Sequence, residues 1–126
     1  MESDINRITE QVIGAAIDVH RELGPGLLES AYQRALAHEL RCRKIPFEEQ
    51  KLCPVRYKDL VIEDAYRLDF LVSGMVVVEL KVVDELMPVH EAQLLTYLRF
   101  TSCHVGLLMN FRSSILVKNG LKRLAL

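Results

Sequence analysis

A chain of 126 residues, 50% hydrophobic and 26% charged, is not disordered and can bury one core without disulfides or a structural metal; one domain over 1–126 is expected. The formal net charge of −1 argues against a uniformly cationic surface that grips nucleic acid by phosphate neutralisation, though it leaves room for a local basic rim. The three cysteines, Cys42, Cys53 and Cys103, form no CxxC pair and suit reduced thiols in a cytoplasmic location, and neither a secretory leader nor a bilayer-spanning apolar run is legible.

Ser3 or Asp4 can cap a first helix. Ile5, Ile8, Val12, Ala15, Ala16, Val19 and Leu23 recur at three- and four-residue steps and give it one apolar face. Gly24-Pro25-Gly26 ends it. A second helix is expected over 27–43, with a stripe that includes Leu28, Ala31, Tyr32, Ala35, Leu36 and Leu40. Ile45-Pro46 breaks that helix. The period then changes, and 47–57 reads as a strand followed by a turn at Lys58-Asp59.

The next two strands carry the chemistry. In 66–72 the apolar residues Tyr66, Leu68, Phe70 and Val72 alternate with Arg67, Asp69 and Leu71. In 75–83 Val76, Val78, Leu80 and Val82 alternate with Val77, Glu79, Lys81 and Val83. Period-two alternation predicts a hairpin with one wholly apolar face and one face bearing Asp69, Glu79 and Lys81. Pro88 opens a third helix with Leu94, Leu95 and Leu98 buried and Gln93 and Tyr97 one turn apart beside them. The segment 103–110 reads as a buried strand. Asn119-Gly120 predicts a terminal hairpin within 115–126. Helix, helix, strands, helix, strand and hairpin together indicate an α/β fold, a mixed central sheet flanked by helices.

Two carboxylates on adjacent strands can hold a hard cation through oxygen ligands, and a cation there polarises a phosphate and acidifies water. A nearby lysine can orient that water. Asp, Glu and Lys on a hairpin are more commonly solvated charges or a cross-strand pair. Here the surrounding strand is strongly apolar, as befits a central strand. Glu29 reads either as a first-turn acid complementing the helix dipole or as a third carboxylate for the site. Gln93 reads as a polar flank of its helix or as a group that reaches phosphate or water.

The string Gly26-x-x-Glu29-x-x-Tyr32 resembles the signature of the GxxExxY protein family, a branch of the PD-(D/E)XK nuclease superfamily. The likeness runs from about Ile5 to Leu124. It includes Pro54-Val55-Arg56-Tyr57-Lys58, Arg67-x-Asp69, Glu79-Leu80-Lys81, Gln93-Leu94-x-x-Tyr97-Leu98 and Val105-Gly106-Leu107-Leu108-x-Asn110-Phe111. Lys58-Asp59 stands where a Lys-Gly turn would be usual. The resemblance implies a restriction-endonuclease-like core and a nuclease that hydrolyses phosphodiester bonds, with DNA the expected partner. It implies Mg²⁺ or Mn²⁺ held by Asp69, Glu79, the Leu80 carbonyl and Glu29. It also implies that Lys81 acts on the water and that Gln93 assists. A non-catalytic interaction module on the same fold is the alternative, and a homodimer is open.

The site makes a demand on register. A two-residue turn at Ser73-Gly74 would pair Val72 with Met75 and set Val78 opposite Asp69, sending Glu79 to the other face. A three-residue loop, Ser73 to Met75, or a bulge, is therefore predicted. No zinc spacing, nucleophile elbow or phosphate loop competes with this reading: His20, His38, His90 and His104 are scattered. Lys118 to Arg123 is a basic turn that could at most touch phosphate weakly.

Overall fold

The computed structural model describes residues 2–126; Met1, which begins the acidic N-terminal run, lies outside them. In α1 (Glu2–Leu23) the stripe Ile8, Val12, Ala15, Ala16 and Val19 is buried. The helix already runs at Glu2, so Ser3 and Asp4 sit inside its first turn and do not cap it. An acid there still complements the dipole. Gly24, at φ 72°, turns the chain and donates its N–H to the His20 carbonyl at 2.8 Å.

The second helix, α2 (Glu29–Cys42), is shorter at both ends than the expected 27–43. Its Leu28 cap is extended, and the Leu27 N–H donates to the Tyr32 hydroxyl at 3.1 Å. That hydroxyl in turn donates to the Gly24 carbonyl. Tyr32 is fully buried and stacks on Phe111 at 4.8 Å, so one side chain stitches the α1–α2 loop to the core.

Strand β1 (Phe47–Tyr57) has the expected span. Strand β2 (Leu60–Val72) begins well before Tyr66. Beyond the body, β1 and β2 continue as a two-stranded ribbon around the Lys58-Asp59 turn, pairing Tyr57 with Leu60. Its residues face solvent on both sides, so no alternation betrays it. Strand β3 (Val76–Lys81) stops short of Val83 because the Asn110 side chain captures both the Val83 N–H and its carbonyl. Helix α3 (Pro88–Thr101) begins on its proline, and it buries Leu94 and Leu98 and half-buries Leu95. Strand β4 (Val105–Asn110) is buried throughout, and β5 (Leu121–Ala125) ends the sheet.

The sheet order is β1-β2-β3-β4-β5, antiparallel except for β3 and β4, which α3 connects in parallel. Tyr32, Leu36, Phe70, Val78, Leu80, Leu107 and Phe111 belong to the core under α1 and α2. Leu68, Val77, Leu94, Leu98 and Leu108 form a second core under α3. This is the mixed sheet flanked by helices that the sequence predicts. The pairs Phe70–Val78, Leu71–Val77 and Val72–Val76 establish the three-residue loop. Ser73 and Gly74 both take left-handed backbone, at φ 53° and 67°.

The terminal hairpin is not formed. Leu116–Gly120 make a π-helical turn, and β5 instead pairs with β4, Leu121 facing Met109. Burial of Leu116 in the core overrides the local turn preference of Asn119-Gly120. Gly120 is required for a different reason. A Cβ there would lie 2.6 Å from the Asn110 carbonyl oxygen and 2.5 Å from the Ser113 hydroxyl oxygen.

Candidate metal centre and active site

The β2–β3 ladder stops one step before the site. Beyond Phe70–Val78 the next residues across the strands are Asp69 and Glu79, and side chains replace the backbone pairing. The Asp69 N–H donates to Glu79 Oε2 at 2.8 Å, and the Leu80 N–H donates to Asp69 Oδ2 at 2.8 Å. The two strands therefore fork, each held by the other's carboxylate. On the outer side of β2, Gln50 of β1 sits unpaired between Glu49–Phe70 and Lys51–Leu68, at φ 51°. Its side-chain amide favours the ionised form of the Asp69 carboxylate. The Gln33 amide reaches the Asp69 carbonyl at 3.4 Å.

This irregularity corrects the expected hairpin face. Tyr66 and Leu68 pack under α3, whereas Phe70 and Val72 pack under α1 and α2. The strand changes faces at Asp69, where the ladders to β1 and β3 both lack a pair, which strict alternation cannot anticipate.

Glu79 is only 5% exposed. Burial, and then the charge of Asp69, push its carboxyl up to about 8. Burial also raises Asp69, against the Leu80 N–H and Lys81, which favour its ionised form. No ion pair reaches either carboxylate among the described residues. Lys81, half-buried on the same strand, donates from Nζ to Gln93 Oε1 at 3.1 Å. Glu29, the first residue of α2, stands at the mouth and is exposed overall. Partial burial of its carboxyl and the charge of Asp69 raise its pKa, and Lys81 lowers it.

These five side chains, with the Leu80 backbone, line one cleft of about 400 Å³. A larger cleft of about 850 Å³ lies along α1, α2 and β1. Among its lining residues Arg41 pairs with Glu49, and Asp18 and Glu39 both pair with the neighbouring Arg43. Tyr66, Asp64 and Leu52 also line the smaller cleft, and sequence reading did not single them out for it. Nothing in the sequence marks Gln50 as an Asp69 neighbour, because the two meet only once β1 lies beside β2. Tyr97 lies in the cleft wall one turn after Gln93, and burial followed by the charges of Glu79 and Asp69 raises its hydroxyl pKa.

The donor set suits a hard divalent cation. Two carboxylates share a water-poor fork without a cationic partner, and such a pair gains most from a cation that offsets both charges. Each has an oxygen not committed to the fork's backbone N–H groups. Extended backbone directs a residue's N–H and carbonyl to the same edge, so the Leu80 carbonyl faces the fork as its N–H does. Among the described residues no three His, Cys, Asp or Glu side chains form a ready cage, so Glu29 is near the pair without completing one.

A sequence profile of the PD-(D/E)XK nuclease superfamily matches residues 6–124. The chain belongs to that superfamily. The mixed sheet is accordingly a restriction-endonuclease-like core, and the Asp69 and Glu79-Leu80-Lys81 fork occupies its middle strands. No curated protein and no solved structure matches the chain. No helix among the described residues is long and apolar enough to cross a membrane.

Proposed function

We propose that this PD-(D/E)XK protein is a nuclease of the GxxExxY branch that hydrolyses phosphodiester bonds in DNA and depends on Mg²⁺ or Mn²⁺. The observation that carries the reading is the fork itself: two carboxylates held face to face in a cleft, with a lysine two residues along. Asp69, Glu79 and the Leu80 carbonyl would hold the cation, with Glu29 as the supporting carboxylate, as suits a hard cation bound by oxygen. When bound, the cation supplies charge neutralisation at phosphate and a more acidic water.

The remaining work falls to side chains. The Gln93 amide fixes the Lys81 ammonium at the cleft wall. Lys81 orients the attacking water and offsets charge as the phosphate becomes more anionic. Burial of Glu79 keeps bulk water from the fork, which strengthens each of these interactions.

Purified protein mixed with plasmid and with short single strands, in Mg²⁺ and in Mn²⁺, tests the proposal. Cleavage that requires metal and disappears in Asp69→Ala and Lys81→Ala supports it. No cleavage of any nucleic acid, or equal cleavage by both variants, overturns it. The lack of a preformed three-carboxylate cage among the described residues and the net charge of −1 favour a second reading, a non-catalytic interaction module, which calorimetric titration with Mg²⁺ distinguishes. Such a module has no need to bind the ion.

A further inference from the structure

The cleft has a second kind of wall. Tyr66 of β2 and Tyr97 of α3 both line it, and their rings stack at 4.9 Å with an interplanar angle of 17°. Phe100 follows Tyr97 by one turn of α3 and lies 6.2 Å from Tyr66. It is 41% exposed, and the Arg99 guanidinium sits 4.8 Å from its ring centroid. An aromatic row thus leads from the carboxylate fork along α3 to the surface and ends on a cation.

Charge says what such a row can serve. The cleft is lined by Glu29, Asp64, Asp69 and Glu79 against only Arg67 and Lys81. The whole chain is net anionic. A duplex is held mainly by many phosphate contacts, and this surface supplies few. Bases freed from a duplex expose their faces, and aromatic rings and arginine bind those faces whatever the sequence.

We infer that the Tyr66–Tyr97–Phe100 row is a stacking track for unpaired bases, so that the fork receives a single strand or a single-stranded end and not the interior of a duplex. The inference rests on the nuclease reading for the identity of the polymer, and on the aromatic row for its strandedness. The row is continuous with the cleft.

Binding tests this separately from cleavage. A fluorescein-labelled oligothymidine of about twelve nucleotides, its ribo-uridine counterpart and a duplex of equal length are titrated by anisotropy, in Ca²⁺ and in EDTA. One of the single strands should bind at least about tenfold tighter than the duplex. Phe100→Ala should weaken single-strand binding by about tenfold and leave duplex binding unchanged, and Phe100→Tyr should restore it. Phe100 is partly exposed, so the alanine variant is expected to fold. Duplex binding equal to or tighter than single-strand binding, no binding to any single strand, or no effect of Phe100→Ala overturns the inference. Single strands that are bound by way of Phe100 yet never cut leave it standing while removing the nuclease reading. Duplex cut while single strands are ignored does the reverse.

Discussion

Asp69 and Glu79 face each other across β2 and β3, and Glu79 accepts the Asp69 N–H at 2.8 Å where a backbone carbonyl would ordinarily serve. The Asp69 carboxylate does the same for the Leu80 N–H. The site is therefore part of the sheet's own hydrogen bonding, and changes to it should be felt in stability as well as in chemistry.

Asp69→Ala should destabilise the metal-free chain by about 1–3 kcal/mol, because it leaves the Leu80 N–H without a partner in a buried strand. Asp69→Asn keeps an oxygen for that N–H and should cost less, while still impairing cation binding. Urea denaturation of both variants in EDTA checks the order. Equal stabilities would remove the structural role of the carboxylate.

The Glu79 carboxyl lies at about 8 in the folded chain against an ordinary 4.5. Between those values the folded state keeps a proton that the unfolded state has released. Stability in EDTA should therefore be fullest below the ordinary carboxylate range and decline as pH rises, by at most about 1.4 kcal/mol per pH unit from this group. The loss is complete once pH passes the folded value. Asp69 and Glu29 are raised as well and act in the same direction. Melting curves from pH 5 to 9 should show the decline, Glu79→Gln should flatten it, and saturating Mg²⁺ should oppose it.

Tyr32→Phe retains the stack on Phe111 but removes the hydroxyl that accepts from Leu27 and donates to Gly24. A loss of about 1–3 kcal/mol is expected. Because Glu29 follows directly on this loop, the variant should also weaken any Mg²⁺ binding to which Glu29 contributes. Denaturation and calorimetric titration together separate the two effects.

Gly120→Ala should cost about 1–3 kcal/mol or more, since its Cβ would meet the Asn110 carbonyl at 2.6 Å. Asn119→Ala should change stability little, because Asn119 is exposed and no hairpin turn depends on it. A large effect at Asn119 with none at Gly120 would restore the hairpin reading.

Local patterns carried much of this fold. Apolar spacing identified α1, α2 and α3, the Lys58-Asp59 turn bounded β1, and the need for Asp69 and Glu79 to share a face called for the three-residue loop that the β2–β3 pairing shows. Side chains that follow from one element's own period are legible because burial acts on each residue in turn. The remainder depended on groups distant in sequence. Gln50 lies opposite Asp69 where the β1–β2 ladder omits one pair, Leu116 is drawn into the core under α1 and α2, and Asn110 ends β3 by taking the Val83 backbone. So the sequence by itself determined the α/β class and the identity of the charged strand residues. Only the tertiary structure decided where the strands part, how deeply Glu79 is buried, and which aromatic rings border the cleft. Those depend on the competition between ladder hydrogen bonds and side-chain packing across several elements, and no single segment contains both sides of it.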